Sequence, residues 1–322
     1  WTIWRITDRS SFKNITANNI TVIGTEQQVG GIVGGTEMSD VNGVILSNIS
    51  VTNSGNYTGG FAGYLGSSSN ANLREAINVE IIGTATTDAE GRTISSTTDI
   101  KGNNYVGGVT GYTNQKIGSS YNAAKAEPNL NVDGIVVSGL QNMGGALGGT
   151  YTTIYHITVK DTLVETRDDL VKATSTYSSV GGVLGTTNNS SGRALIAENV
   201  TIDVDNTNYV GGIGGYYRQN AQHCFVKDCY IKANKLNGHT AFLSEIGGIA
   251  GRYENNMNYC GVMNTIIYAP KYSNVGGIAG RFTVSLTQNY SIANCYYLAD
   301  YDTSKENQYN TNSGTRYTAA SI

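Results

Sequence analysis

Short apolar runs broken by glycines and polar residues recur along the whole chain, and the apolar spacing almost nowhere settles into a helical period. One word returns eight times: an apolar residue, two glycines, an apolar residue, and usually a small residue and a third glycine. Val29-Gly30-Gly31-Ile32 and Val180-Gly181-Gly182-Val183 show it. The first glycines of the pairs are Gly30, Gly59, Gly107, Gly144, Gly181, Gly211, Gly247 and Gly276, so successive copies lie 29, 48, 37, 37, 30, 36 and 29 residues apart. A period of about 20–50 residues is the mark of a solenoid. A second word, apolar-x-Asn-apolar-x-apolar, runs out of phase with the first, around Asn48, Asn78, Asn199, Asn264 and Asn294. In other repeats its slot holds Asn19, Asp228, Gly134 or His156. Alternation two apart among Val, Ile and Thr predicts short strands at both words. Strand-turn-strand units that bury no face alone must stack on their neighbours. The pattern therefore predicts an all-β fold, a coil of parallel strands (a β-solenoid) with loop insertions. About nine rungs at roughly 4.8 Å each make a rod of about 43 Å. The predicted divisions are an N-terminal capping segment and first rung over 1–28, the β-helix over 29–299, and a polar tail or linker over 300–322. The stretch 163–173 alone has helical spacing, and it reads equally as a loop.

Stacking turns equivalent positions into columns. A column of Asn48, Asn78, Asn199, Asn264 and Asn294 predicts a structural amide ladder at one bend, satisfying backbone groups that stacking buries. His156 falls in that slot and reads as a substitute rung of the ladder, not a catalyst. Cys229, Thr265 and Cys295 are expected in one inward column just after the slot. Cys224 and Cys260 each lie 13 residues after the first glycine of a pair, which places them on adjacent rungs. They read as small core filler, or alternatively as a possible disulfide. None of the four cysteines has the spacing of a zinc site, and no metal or cofactor is expected. One step beyond the third glycine, alternation turns Tyr64, Tyr112, Tyr216, Arg252 and Arg281 outward, where aromatic and guanidinium faces suit sugar rings or a partner protein. The next residues, Tyr217, Tyr253 and Phe282, should turn inward. Longer connections over 83–104, 113–129, 161–179 and 232–245 are expected as surface loops, a usual place for binding.

The Gly-Gly word with its third glycine resembles the GLUG motif of bacterial cell-surface proteins, a family that includes adhesin-like repeat regions and non-catalytic parts of IgA-cleaving metalloproteases. The resemblance covers about 29–299. It implies a right-handed parallel β-helix serving as a stalk or binding surface at the cell exterior. The His-Glu-x-x-His of the zinc proteases occurs nowhere in this chain.

Composition narrows the functional classes. The 322 residues carry 21 Lys and Arg against 24 Asp and Glu, a net charge of -3, which gives no basic patch for nucleic acid. No apolar run is long enough for a membrane span, so no membrane insertion is expected. An opening Trp1 in place of Met reads as a processed or excised chain. Catalysis on glycosides needs paired carboxylates; the only tight pairs are Asp168-Asp169 and Asp203-Val204-Asp205, with no Lys, Arg or His column expected beside them. His223 and His239 have no evident nucleophile or acid partner. The reading is a non-enzymatic extracellular adhesion module whose partner is a glycan or surface protein. The alternatives are a subunit that assembles end to end with itself and a polysaccharide-active enzyme on the same coil.

Overall fold

The computed structural model describes residues 3–6, 10–37, 39–66, 75–118, 128–167, 178–188, 191–234, 245–269, 274–283, 291–298 and 315–317. These form a parallel β-helix with three walls. An eight-stranded sheet holds the strands that run into the Gly-Gly pairs, from Val29–Gly30 to Asn274–Gly276. A nine-stranded sheet follows each pair, from Ile3–Ile6 through Val33–Glu37 to Ala279–Phe282. The third wall is a broad sheet of bent strands, longest in Ser11–Gly24 and Asp40–Asn53. Every rung-to-rung pairing is parallel and in register, as in Thr110↔Leu147 and Leu147↔Leu184. The polar tail adds one strand of its own: Thr315–Tyr317 pairs in parallel with Tyr296–Leu298.

The Gly-Gly pairs exist because backbones meet there. The N–H of Gly145 donates to the carbonyl of Gly182 at 3.1 Å, and that of Gly108 donates to Gly145 at 3.0 Å. A Cβ on Gly145 would stand 2.2 Å from the Gly182 oxygen, closer than atoms tolerate. The pair is thus a corner that only glycine can turn while keeping the next rung's bond.

Inside the corners the core is one continuous column of apolar side chains, including Val33, Ile49, Leu65, Ile81, Val159, Ile202 and Ile246, all fully buried. One inward column changes along the rod from Thr113, Thr150 and Thr187 to Tyr217, Tyr253 and Phe282. The buried threonines satisfy their hydroxyls locally, Thr113 Oγ1 donating to the Gln115 carbonyl at 2.9 Å. Tyr217 and Tyr253 are fully buried, with ring centroids 5.7 Å apart.

The asparagine column needs correction. There are two bends per rung, not one, and they lie five residues apart. The first passes through Asn14, Gly43, Asn78, His156, Ala194, His223, Tyr259 and Asn294. The second passes through Asn19, Asn48, Gly134, Asp161, Asn199, Asp228 and Asn264. All of these residues have φ between +44° and +71°. The slot is therefore selected for left-handed backbone, which Asn and Gly enter most cheaply. The amides do not form a buried ladder. Asn78, Asn264 and Asn294 are exposed, while Asn48 and Asn199 are half-buried. Some still bond across rungs: Asn199 Nδ2 donates to Asp161 Oδ1 at 2.6 Å and Asn264 Nδ2 to Asp228 Oδ1 at 3.1 Å. His156 and His223 are bend residues of the same kind, the latter stacked on Tyr259 at 5.3 Å.

Ala194 holds φ +57° with no side-chain amide to favour it. Replacing it by Asn is expected to stabilise the chain by about 1 kcal/mol, because Asn enters this region at lower cost. The melting temperature should rise by about 2–4 °C in a thermal scan. A fall would mean that the bend is set by packing and not by backbone preference.

The two bends also rearrange the cysteines. Cys295 follows the first bend, so it stacks with Cys224 and Cys260, whereas Cys229 follows the second and stacks with Thr265. Cys224 and Cys260 sit on adjacent rungs, the Cys224 N–H 3.4 Å from Cys260 Sγ. All four cysteines are buried free thiols, so the pair is core filler here and not a disulfide. Burial pushes the Cys229 thiol up to about 12 and raises that of Cys260 well above its usual range, which keeps them protonated.

The helical spacing over 163–173 is also overruled. Leu163–Thr166 is a strand held between Val136–Gly139 and Thr201–Asp205. Residues 168–173 of that stretch lie outside the described residues, as do Asp168-Asp169, His239 and most of the insertions over 113–129, 161–179 and 232–245. The insertion over 83–104 is well described. It contains an antiparallel hairpin, Ala85–Thr87 with Thr93–Ser96, which lies along the outside of the rod.

Candidate functional site

Strand alternation on the nine-stranded wall puts one residue per rung outward. Tyr64, Tyr112, Gly149, Thr186, Tyr216, Arg252 and Arg281 follow one another in that column. All five residues singled out from the sequence therefore share one column. A second column runs beside it on the eight-stranded wall, two residues before each second glycine's neighbour: Tyr57, Tyr105, Asn142, Ser179, Tyr209 and Glu245. The sequence reading missed these. Their signal was present in the words Tyr57-Thr58-Gly59, Tyr105-Val106-Gly107 and Tyr209-Val210-Gly211.

The two columns meet across the Gly-Gly corner and build two aromatic clusters. In the first, Tyr57 stacks on Tyr105 at 5.2 Å and Tyr64 on Tyr112 at 6.3 Å, with edge contacts between the two pairs. Tyr57 and Tyr105 hold φ +57° and +55° to place their rings. Such a backbone costs a bulky residue about 1–3 kcal/mol, and strain of this kind gathers at functional sites. Gly149 makes room for the rings: a Cβ there would stand 2.9 Å from Tyr105 Cδ1 and from Tyr112 Cδ2.

The second cluster is Tyr209 and Tyr216, centroids 5.1 Å apart, held by arginines. Arg252 lies 4.8 Å over the Tyr209 ring and Arg218 lies 4.3 Å over the Tyr216 ring. Arg252 is fixed by a two-pronged pair to Glu245, Nε to Oε2 at 2.7 Å and Nη2 to Oε1 at 2.8 Å. Glu245 is fully buried and also meets Arg281 at 3.4 Å. Tyr216 donates its hydroxyl to Glu254 at 2.8 Å.

Between the clusters the outward residues are small or polar, and a groove of about 540 Å³ opens over Asn142, Ser179 and Thr186. Tyr105 closes one end, while Tyr209 and Tyr216 close the other. From the Tyr105 rung to the Tyr209 rung is three steps, about 14 Å. Burial raises the Tyr105, Tyr112 and Tyr216 hydroxyls above the usual phenol range, so they act as neutral hydrogen-bonding groups around neutrality. Tyr64 and Arg281 lie beyond the two ends of the groove; Arg281 braces Glu245.

A second cleft, about 270 Å³, lies beneath the hairpin and gathers Asp88, Glu165 and Asp203 with Arg92, Tyr230 and Lys232. The hairpin is anchored across rungs by Thr93 Oγ1 donating to the Asp161 carbonyl at 2.8 Å and by Arg92 over the Tyr230 ring at 4.7 Å. Contrary to the expectation of no basic neighbour, Lys232 stands beside Asp203, Nζ to Oδ2 at 2.8 Å. Ser138 donates to Glu165 at 3.0 Å. Burial would raise the Asp88 carboxyl, but hydrogen bonds and charge from Arg92 outweigh it and hold Asp88 below the usual carboxylate range. Asp205 lies outside this cleft, two residues along the strand from Asp203. Among the described residues no group of three or more His, Cys, Asp or Glu is placed to hold a metal ion.

No protein-family model matches the chain, and neither a curated protein nor a solved structure is similar enough to it to count as a relative.

Proposed function

We propose that the chain is a binding module, a rigid β-helix that holds a carbohydrate chain in the groove between its two tyrosine clusters. The observation that carries this reading is the groove itself: aromatic rings at both ends, a floor of amide and hydroxyl side chains between them, and walls fixed by strand pairing. The C–H faces of a sugar ring are apolar and stack on aromatic faces, while its hydroxyls need amides and hydroxyls as partners. A parallel β-helix presents such a row without reorganising, which spares the ordering cost of binding. The Gly-Gly words, similar to GLUG repeats, support a place on a bacterial cell surface and a role in adhesion.

The test is binding of the purified chain to an array of oligosaccharides, alongside Tyr105→Ala and Tyr216→Ala. Each substitution is expected to weaken binding about tenfold or more, as loss of a stacked aromatic anchor does. Both rings lie outside the coil, so the fold should persist, with the melting temperature lowered only by the lost ring contacts, about 2–4 °C. Absence of binding to any saccharide, or binding that both variants keep, would reject the groove as the site.

One observation favours a second reading, a glycan-cleaving enzyme: three carboxylates face the hairpin cleft. Such an enzyme needs one carboxyl kept protonated and another ionised, and Asp88 and Asp203 are both paired with cations.

A further inference from the structure

The groove and the hairpin cleft differ in charge. The cleft sets three carboxylates against one arginine and one lysine. The groove lining holds two arginines, Arg218 and Arg252, and no carboxylate, on a chain with more acidic than basic residues. Glu245 and Glu254 are not among the lining residues and are already engaged, by Arg252 and by the Tyr216 hydroxyl.

The two arginines are not equivalent. Arg252 is committed to Glu245 through both of its prongs. Arg218 is exposed, and its Nη1 donates to a neutral partner, Asn188 Oδ1, at 2.8 Å. Among the described residues it has no carboxylate partner. Stacking on Tyr216 at 4.3 Å holds the guanidinium plane at the lip of the groove. A planar guanidinium fixed in orientation, with no counter-ion among the described residues, matches a carboxylate through two parallel hydrogen bonds.

We infer that the groove takes an acidic saccharide, with a sugar carboxylate on Arg218 while the ring carrying it lies over the floor of Asn142, Ser179 and Thr186. This rests on the reading of the groove as a carbohydrate site and names the class of sugar, a uronic acid. A sulfated sugar would bring an anion too, and two of its oxygens can meet the fork, but a sulfate ester is a far weaker base than a carboxylate and so the weaker hydrogen-bond acceptor.

The test uses the full chain and three probes of equal length: a galacturonic acid hexamer, a neutral galactose hexamer and a sulfated galactose hexamer. Affinities are measured by calorimetry for the parent, Arg218→Gln and Arg218→Lys. The uronate hexamer is expected to bind the parent best. Arg218→Gln should weaken it about 10- to 100-fold, the usual worth of a hydrogen bond to a charged group. Arg218→Lys, which keeps the charge and loses the fork, should fall between. The residue is exposed, so each variant is expected to melt with the parent. Equal affinity for neutral and uronate probes, preference for the sulfated probe, or a uronate affinity that Arg218→Gln leaves unchanged would each overturn the inference. In those cases the carbohydrate groove would still stand if Tyr105→Ala and Tyr216→Ala abolish the binding seen. Failure of every probe to bind would overturn the inference, and the oligosaccharide array decides whether the groove reading falls with it.

Discussion

Gly145→Ala is expected to destabilise the chain by roughly 3 kcal/mol or more, the scale of overpacking where the backbone has no room to yield. Gly145 is the second glycine of the fourth pair, in the middle of the rod. An added Cβ would stand 2.2 Å from the Gly182 carbonyl oxygen and 2.6 Å from Val159 Cγ1. Only one of these obstacles is a side chain with freedom to turn away. The other is the acceptor of the bond that ties this rung to the next. Relief requires the rungs to part, and a solenoid rung is held by its neighbours alone. Against a total of about 5–15 kcal/mol, such a loss lowers the melting temperature by about 6–12 °C. Gly91→Ala in the hairpin turn is the comparison: it has φ +78° but nothing within 4 Å of the new Cβ, so its cost stays near 1 kcal/mol. Equal effects of the two substitutions in thermal unfolding would show that the corner is looser than its geometry.

Glu245→Ala should cost about 3–5 kcal/mol, because it leaves Arg252 without the carboxylate that justifies its burial. The Glu245 side chain is 0 % exposed and that of Arg252 is 14 %. The corresponding cut at the hairpin cleft, Asp203→Ala, breaks a pair whose members are 32 % and 40 % exposed, and should cost under about 1 kcal/mol. Glu245→Ala has a second expected effect. Arg252 packs on Tyr209, and Tyr209 on Tyr216. Freeing Arg252 loosens one end of the groove, so saccharide affinity should fall along with stability. Urea unfolding and calorimetric titration of the same sample separate the two. Stability lost with affinity kept would mean that the tyrosines hold their places without the arginine.

The parts of the fold that were legible in the sequence are those where one residue type is demanded by a short-range contact. The glycine pairs repeat because each meets a backbone atom of the next rung, and eight copies reveal both the coil and its length. The outward column from Tyr64 to Arg281 followed from alternation once the corner was placed. What was hidden depended on register. Two bends five residues apart carry the same local word, so Asn78 and Asn294 merge with Asn48, Asn199 and Asn264 until pairing separates them. The merger put Cys295 in the wrong column. Leu163 to Thr166 has helical spacing by chance, and strand partners on both sides decide its state. The Tyr105 end of the groove was missed because Tyr105, like Tyr57 stacked on it, turns its ring outward through left-handed backbone, which alternation does not anticipate. Glu245 was a readable oddity, a charge in a slot otherwise held by Tyr, Asn or Ser; its arginine partner seven residues on becomes adjacent only across the corner.

The order of the nine-stranded wall has a mechanical consequence. Ile3–Ile6 lies at one edge and Ala279–Phe282 at the other, so a pull applied through the two ends acts along the rod. The hydrogen bonds between rungs also run along that axis, and a tether under tension loads those of the outermost turn first. The coil then pays out one turn at a time, each releasing 29 to 48 residues of slack, roughly 100–160 Å of extended chain at about 3.4 Å per residue. A rod built this way is expected to absorb a jerk in steps, its inner turns staying wound while the outer ones yield.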